Sequence, residues 1–215
     1  MANIGYLNGF LSTLGTAVEF RSVNFQQVNN SSITTTVSGR TVRTSNSTTL
    51  WAGQLEFTTY TQAAFKSIQA FFARTRGTLN DFYVIIPGVS TFTGSATFSP
   101  TIEIVGNVSA GNNTVEIRSS EGSINLKAGD VIQFESHNKV YMITEDVTAI
   151  GSDSGDSAGG KTLQFEPNLI SGVSANQFVN YTEVPFLVIS TSDSYEMRYN
   201  VDGTVQFTID VREVI

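Results

Sequence analysis

Tyr195-Glu196-Met197-Arg198-Tyr199-Asn200-Val201-Asp202-Gly203-Thr204-Val205-Gln206-Phe207-Thr208-Ile209-Asp210-Val211 alternates apolar and polar residues on both sides of an Asp-Gly pair. A period of two places every second side chain on one face of a strand. Asp-Gly supplies the positive φ that a tight turn needs. The stretch therefore reads as a β-hairpin with Tyr195, Met197, Tyr199, Val205, Phe207, Ile209 and Val211 on its buried side. It lies within an alternating region, Val184 to Ile215, that predicts two strands.

A closing hairpin needs a sheet to close. The other strand-and-helix unit of this kind ends far upstream, at Phe82-Tyr83-Val84-Ile85-Ile86-Pro87. Between the two lies a block punctuated by Gly, Asn and Ser. Charge follows the same division. Residues 1–94 carry six Lys/Arg against three Asp/Glu, residues 184–215 two against five, and residues 95–183 four against eleven. The flanks cancel, and the middle holds the whole net charge of −7. The expected organisation is a discontinuous frame domain, 1–94 plus 184–215, interrupted by an acidic β domain at 95–183.

Within the frame, Ser32 to Arg43 is rich in Thr and Val, and Leu50 to Tyr60 sets Trp51, Leu55 and Phe57 opposite Leu50, Gln54 and Glu56. Both read as strands, joined by a turn at Ser45-Asn46-Ser47. Thr61 then caps an amphipathic helix whose Phe65, Ile68, Phe71 and Phe72 share one face up to Thr75, with Gly77 placed to end it. Trp51, Phe65, Ile68, Phe71 and Phe72 are the expected frame core. Ile4 to Val18 has helical apolar spacing but contains Gly5, Gly9 and Gly15, each costing a helix about 1 kcal/mol relative to Ala. It reads as an arm with at most partial helix: a strand or arm packed on its own core, or an arm reaching a neighbouring copy through Phe10 and Leu11.

In the middle block, Thr101 to Val105, Thr114 to Arg118, Asp130 to Glu135, Lys139 to Val147 and Lys161 to Glu166 predict five short strands, the pattern of a small barrel or sandwich. Gly151 to Gly160 holds no large apolar residue and reads as a loop. The fold class is mainly β: a β-sandwich frame with one amphipathic helix, interrupted by a small inserted β-barrel or sandwich, OB-like in size.

Composition narrows the function. The sequence pI is about 4.6, and phosphate binding rests on Lys and Arg, so specific nucleic-acid binding is not expected. With no cysteine, disulfides, thiolate metal sites and Cys nucleophiles are excluded. No run approaches the ~20 apolar residues of a transmembrane helix, so no membrane insertion is expected. No Lys or Arg precedes Arg21, which predicts synthesis in the cytoplasm without a secretory leader.

No catalytic, cofactor-binding or metal-ligating set emerges, and the expectation is a protein that is not an enzyme. His137, the single histidine, sits beside Asn138 in an expected turn and reads as solvated. Glu145 and Asp146 are adjacent in an expected strand, which would send them to opposite faces. Asp153 and Asp156 match no EF-hand spacing. A glycan hydrolase using Glu135 or Glu145 has no acid/base pair to work with. Arg40, Arg43, Arg74 and Arg76 cluster at element ends. Arg74 and Arg76 suit a helix C-terminus, and Arg40 and Arg43 are candidates for a subunit interface.

The order Ser22-Val23-Asn24-Phe25, Ser38-Gly39-Arg40 with Arg43, Trp51 in a strand, Phe65-x-x-Ile68-x-x-Phe71-Phe72, Arg76-Gly77 and Phe82-x-Val84-x-Ile86-Pro87 resembles the frame of bacteriophage tail-tip proteins, closest to distal tail proteins of the baseplate hub. The resemblance covers residues 20–87 and, through the hairpin, 184–215. It implies a frame that assembles six-fold into a ring joining the tail tube to baseplate or fibre proteins in the virion, with an OB-like or galectin-like insert displayed outside. These 215 residues offer no counterpart of the large C-terminal carbohydrate-binding domain of many members, so the expected role is architectural. The alternative from the residues is a carbohydrate-binding module of a virion or secreted protein, a monomer stacking sugars on Trp51, Tyr141, Tyr181 and Tyr195.

Overall fold

The computed structural model describes residues 3–9, 16–97, 99–119, 122–151 and 160–215. β1 (Asn3–Gly9) is a strand, the first of the two readings of this segment. It lies antiparallel between β2 (Thr16–Thr35) and β5 (Phe82–Ile85). Glycines that weaken a helix leave the backbone free to join a ladder on both sides, and Leu7 is fully buried there. This part of the expected arm belongs to its own sheet.

β2 returns as β3 (Thr41–Phe57), and the turn is not at Ser45-Asn46-Ser47. It lies at Val37-Ser38-Gly39, where Gly39 adopts φ +80°. Gly39 N donates to Thr36 O at 2.8 Å and Thr36 N to Arg40 O at 2.9 Å. A three-residue loop with glycine in the left-handed position is a preferred hairpin connection. Asn46 instead lies within β3, where the register shifts between Ser45 and Thr49, and both strands are longer than expected.

β4 (Tyr60–Thr61) leads into α1 (Gln62–Thr75). Thr61 Oγ1 accepts the Ala64 N–H at 3.4 Å as the N-cap, and Arg76 and Gly77 leave the helix with positive φ. Phe65, Ile68, Phe71 and Phe72 form its buried face. Phe72 lies at the centre of the frame core. Its ring is edge-on to Phe57, Phe71 and Phe82 and tilted on Phe207 at 4.8 Å. Such pairs contribute about 0.5–1.5 kcal/mol each beyond the area they bury.

The C-terminal region forms three strands rather than two: β15 (Phe186–Ser190), β16 (Met197–Tyr199) and β17 (Thr204–Glu213). Hydroxyls of Ser190 and Ser192 bond to backbone N–H and C=O groups of Ser192 and Ser194 in the turn between β15 and β16. The sheet runs β15-β5-β1-β2-β3-β17-β16. β15 also pairs with β17, so the sheet curls until its path meets itself, with the phenylalanines of α1 in its core.

Residues between Pro87 and Val184 form a closed barrel. Its strands are β7 (Ile102–Ile104), β8 (Thr114–Ser119), β10 (Val131–Phe134), β11 (Val140–Ile143), β13 (Lys161–Glu166) and β14 (Phe178–Asn180), in the order β10-β11-β13-β8-β7-β14. A three-stranded sheet of β12 (Val147–Gly151), β9 (Ser123–Leu126) and β6 (Ser95–Ala96) adjoins it. The strand expected over Lys139 to Val147 is interrupted at Thr144 to Asp146. Asp146 accepts the Ala128 N–H at 2.9 Å and pairs with Lys127 at 2.7 Å, fixing a bend. Those two contacts hold its carboxyl below the usual aspartate range. The expected loop at Gly151 to Gly160 falls largely outside the described residues.

Barrel and frame each have a core, and a continuous seam joins them. Val131 and Val140 of the barrel belong to the frame's cluster. Trp51 is stacked on Phe25 and edge-on to Phe186, each with centroids 5.6 Å apart, and its Nε1–H donates to Val140 O at 3.3 Å. Glu213 accepts from Trp51 N at 3.1 Å, from Val140 N at 2.9 Å and from Lys139 Nζ. Where the chain enters and leaves the barrel, Ser90 Oγ donates to Val184 O at 2.8 Å.

Candidate functional site

The far end of the β2–β3 hairpin projects into solvent. β1 pairs with β2 up to Phe20, and β17 pairs with β3 back to Ala52. Among the described residues, the two long strands beyond these points pair only with each other. From Val28 to the tip at Val37 they extend about 30 Å at ~3.3 Å per residue. Every residue from Ser31 to Thr44 is exposed. The result is a two-stranded ribbon whose faces and edges carry no cover from the chain's own sheet.

Its local order comes from backbone pairing, from the Thr36 side chain bridging Arg40 N and O at 3.1 Å, and from Thr49 Oγ1 donating to Asn29 Oδ1 at 2.8 Å. No hydrophobic face supports it. Ile33 sits opposite Arg43, and Val42 opposite Thr34, so each face presents one apolar side chain among hydroxyls. Ile33 is 67 % exposed, and Val37 at the tip is fully so. Arg40 and Arg43 are the charges of the ribbon, because no Asp or Glu occurs between Glu19 and Glu56. A solvated two-stranded hairpin is marginally stable at best, and unpaired strand edges are templates for further pairing. The ribbon has the form of a surface made to be covered.

A groove of about 500 Å³ opens on another side of the frame. Along one edge of β17 the ladder passes from β16, ending at Phe207, to β15, starting at Val211. At the break the side chains of Thr208 and Asp210 are exposed, Ile209 is buried, and Asp210 O accepts the Thr191 N–H at 3.0 Å. Ser192, Ser194, Tyr195, Glu196, Arg198 and Asp210 rim it. Asp210 Oδ1 accepts from Gln54 Nε2 at 2.9 Å, and the Tyr195 hydroxyl is held by Thr75 Oγ1 and Gly77 O.

Of the interface candidates, Arg40 and Arg43 lie on the ribbon. Phe10 and Leu11 lie outside the described residues, as do Asp153 and Asp156. Trp51, Phe65, Ile68, Phe71 and Phe72 are all buried in the frame. Arg74 and Arg76 are exposed at the helix C-terminus.

His137 is buried, not solvated. Its ring lies against Phe134 and Tyr141, and residues Leu169 to Gly172 fold over it. Nε2–H points to Gly172 O at 3.5 Å, which leaves Nδ1 to accept from the Tyr141 hydroxyl at 3.0 Å, while that hydroxyl accepts the Ile170 N–H at 3.3 Å. The tautomer is assigned from this network. Burial lowers the imidazole pKa, and the Gly172 carbonyl opposes the shift. Trp51, Tyr141 and Tyr181 are buried too, so three of the four aromatics proposed for sugar stacking present no open ring face. Among the described residues, no group of three or more His, Asp or Glu is arranged to hold a metal ion.

Sequence reasoning missed Lys139, Glu213 and the groove. Glu213 had a signal: it falls on the same parity as Val205, Phe207, Ile209 and Val211, and a carboxylate on a buried face demands partners. A scan against protein-family models finds no match to this chain, and a search of curated proteins finds none either.

Proposed function

We propose that the protein is a structural component of a bacteriophage tail tip or baseplate, in which copies of the curled frame join head to tail into a closed ring. The ring connects the tail tube to baseplate or fibre proteins in the virion. The ribbon carries this reading. It is a long, uncharged-to-basic projection with no core of its own, while residues 184–215 of the frame carry two Lys/Arg against five Asp/Glu, so a second copy supplies both the missing cover and the opposite charge. A projection meeting a different surface on its neighbour is a heterologous contact, and such contacts build rings when the rotation closes.

The phage setting and six-fold symmetry rest on the resemblance over residues 20–87 and 184–215. The role is architectural: apolar and hydroxyl-bearing surface of each ribbon is buried against the next frame, and the barrel, with its net charge of −7 over residues 95–183, faces outward and keeps finished rings apart. Electron microscopy of the purified full chain tests this reading. Closed rings of fixed subunit number, with density bridging adjacent frames, are expected. Particles of monomer size throughout would overturn it.

A further inference from the structure

We infer that the groove rimmed by Glu196 and Asp210 is the receptor for the ribbon of the adjacent copy, with Arg40 and Arg43 docking against those two carboxylates. The inference rests on the ring reading and names its contact.

Charge is the first argument. The ribbon carries two arginines and no acid, and the groove carries two exposed carboxylates with Arg198 as its single cation. Arginine pairs with carboxylates in bidentate geometry, which fixes orientation as well as energy. Hydroxyl chemistry is the second. Thr34, Thr35, Thr36 and Ser38 at the ribbon end meet Ser192 and Ser194 at the groove, and both sides can donate and accept. The groove also presents the side chains of Thr208 and Asp210 of β17, where the ladder passes from one partner strand to another. Its volume of about 500 Å³ falls in the range of sites that take a side chain or small ligand, roughly 300–1,000 Å³.

The contact must be between copies. Arg43 and Gln54, which bonds Asp210, lie on the same extended strand β3. Their partners on β2, Ile33 and Asn24, lie nine residues apart, so at ~3.3 Å per residue roughly 30 Å separates them. A chain cannot bring its own ribbon tip to its own groove, so each copy offers a ribbon forward and a groove behind. Carboxylate-to-arginine pairing of this kind governs partner choice and orientation more than bulk affinity.

Charge reversal provides the test. One variant carries R40E and R43E, a second carries E196K and D210K, and native mass and sedimentation are measured for each alone and for an equimolar mixture. Each variant alone should assemble at least about tenfold more weakly, because like charges are juxtaposed. The mixture should recover assembly, since reversed ribbons fit reversed grooves while the unaltered ribbons fit the unaltered grooves, giving an alternating ring. Recovery on mixing cannot come from misfolded proteins. If the groove variant assembles like the parent while the ribbon variant does not, the groove is wrong and the ring reading stands; a groove kept for a glycan or a different protein gives that result. If the mixture stays dissociated, the pairing is wrong. If the parent chain never assembles, the ring reading fails and the docking site with it.

Discussion

Lys139 Nζ donates to Glu213 Oε2 with both side chains fully buried, so an ammonium from the barrel and a carboxylate from the last frame strand neutralise each other away from water. Two backbone amides, of Trp51 and Val140, complete the acceptor set of the carboxylate. Burial lowers the Lys139 pKa, and the Glu213 charge and hydrogen bond oppose that shift.

Removing one member of a buried pair leaves the other uncompensated, at a cost of about 3–5 kcal/mol. Glu213→Ala and Lys139→Met should each lower stability by about that amount. The double variant Lys139→Met with Glu213→Leu should lie much nearer the parent, because an apolar replacement of both partners removes the desolvation cost. Urea unfolding followed by the fluorescence of Trp51, the single tryptophan, measures all three. Additive losses in the double variant would show that the pair is not coupled.

Joining residue 94 to residue 184 removes the barrel together with Lys139, Val140 and the acceptor of the Trp51 indole N–H. The frame core around Phe72 contains no barrel residue within its aromatic cluster, so the shortened chain should still unfold cooperatively. Its Trp51 emission should shift to the red as the seam meets water. Loss of cooperative unfolding would mean that barrel and frame are a single folding unit.

Burial pushes the Tyr141 hydroxyl up to about 12, with the Ile170 amide opposing and the Glu213 charge adding to the shift. A pKa raised in the folded state gives stability that is complete below the unfolded value near 10 and lost as pH rises through the folded value. Urea midpoints should therefore fall between about pH 10 and 12, and Tyr141→Phe should flatten that limb. On the acid side, His137 is depressed by burial. The unfolded chain takes up that proton first, so stability should also decline as pH falls below 6.5. Phenolate absorbance in which every tyrosine titrates together near pH 10 would contradict the alkaline prediction.

Much of the frame was legible. The alternation from Tyr195 to Val211, the Asp202-Gly203 turn and the capped Phe-rich helix are local signals, and local signals survive folding. β14 was missed because Phe178 to Asn180 is too short to show a period. His137 looked solvated because its cover, Leu169 to Gly172, comes from more than thirty positions downstream. The ribbon was hardest to foresee. A Ser/Thr/Asn-rich stretch has no apolar period to show where strands leave the sheet, and β-propensity depends on the neighbours a strand finds. The groove exists only where β15 and β16 part along β17, a feature of pairing that no residue pattern records.

Sedimentation velocity of the full chain beside a ribbon-shortened variant tests the central claim most directly. Asn29 and Thr49 are paired opposite each other, so replacing residues 30–48 by Asn-Gly closes the hairpin with a two-residue turn and leaves the frame intact. The full chain should form an oligomer of fixed mass, and the shortened chain should be a folded monomer that still unfolds cooperatively. Full-length protein that stays monomeric at every concentration, or a shortened chain that assembles just as well, would contradict that claim.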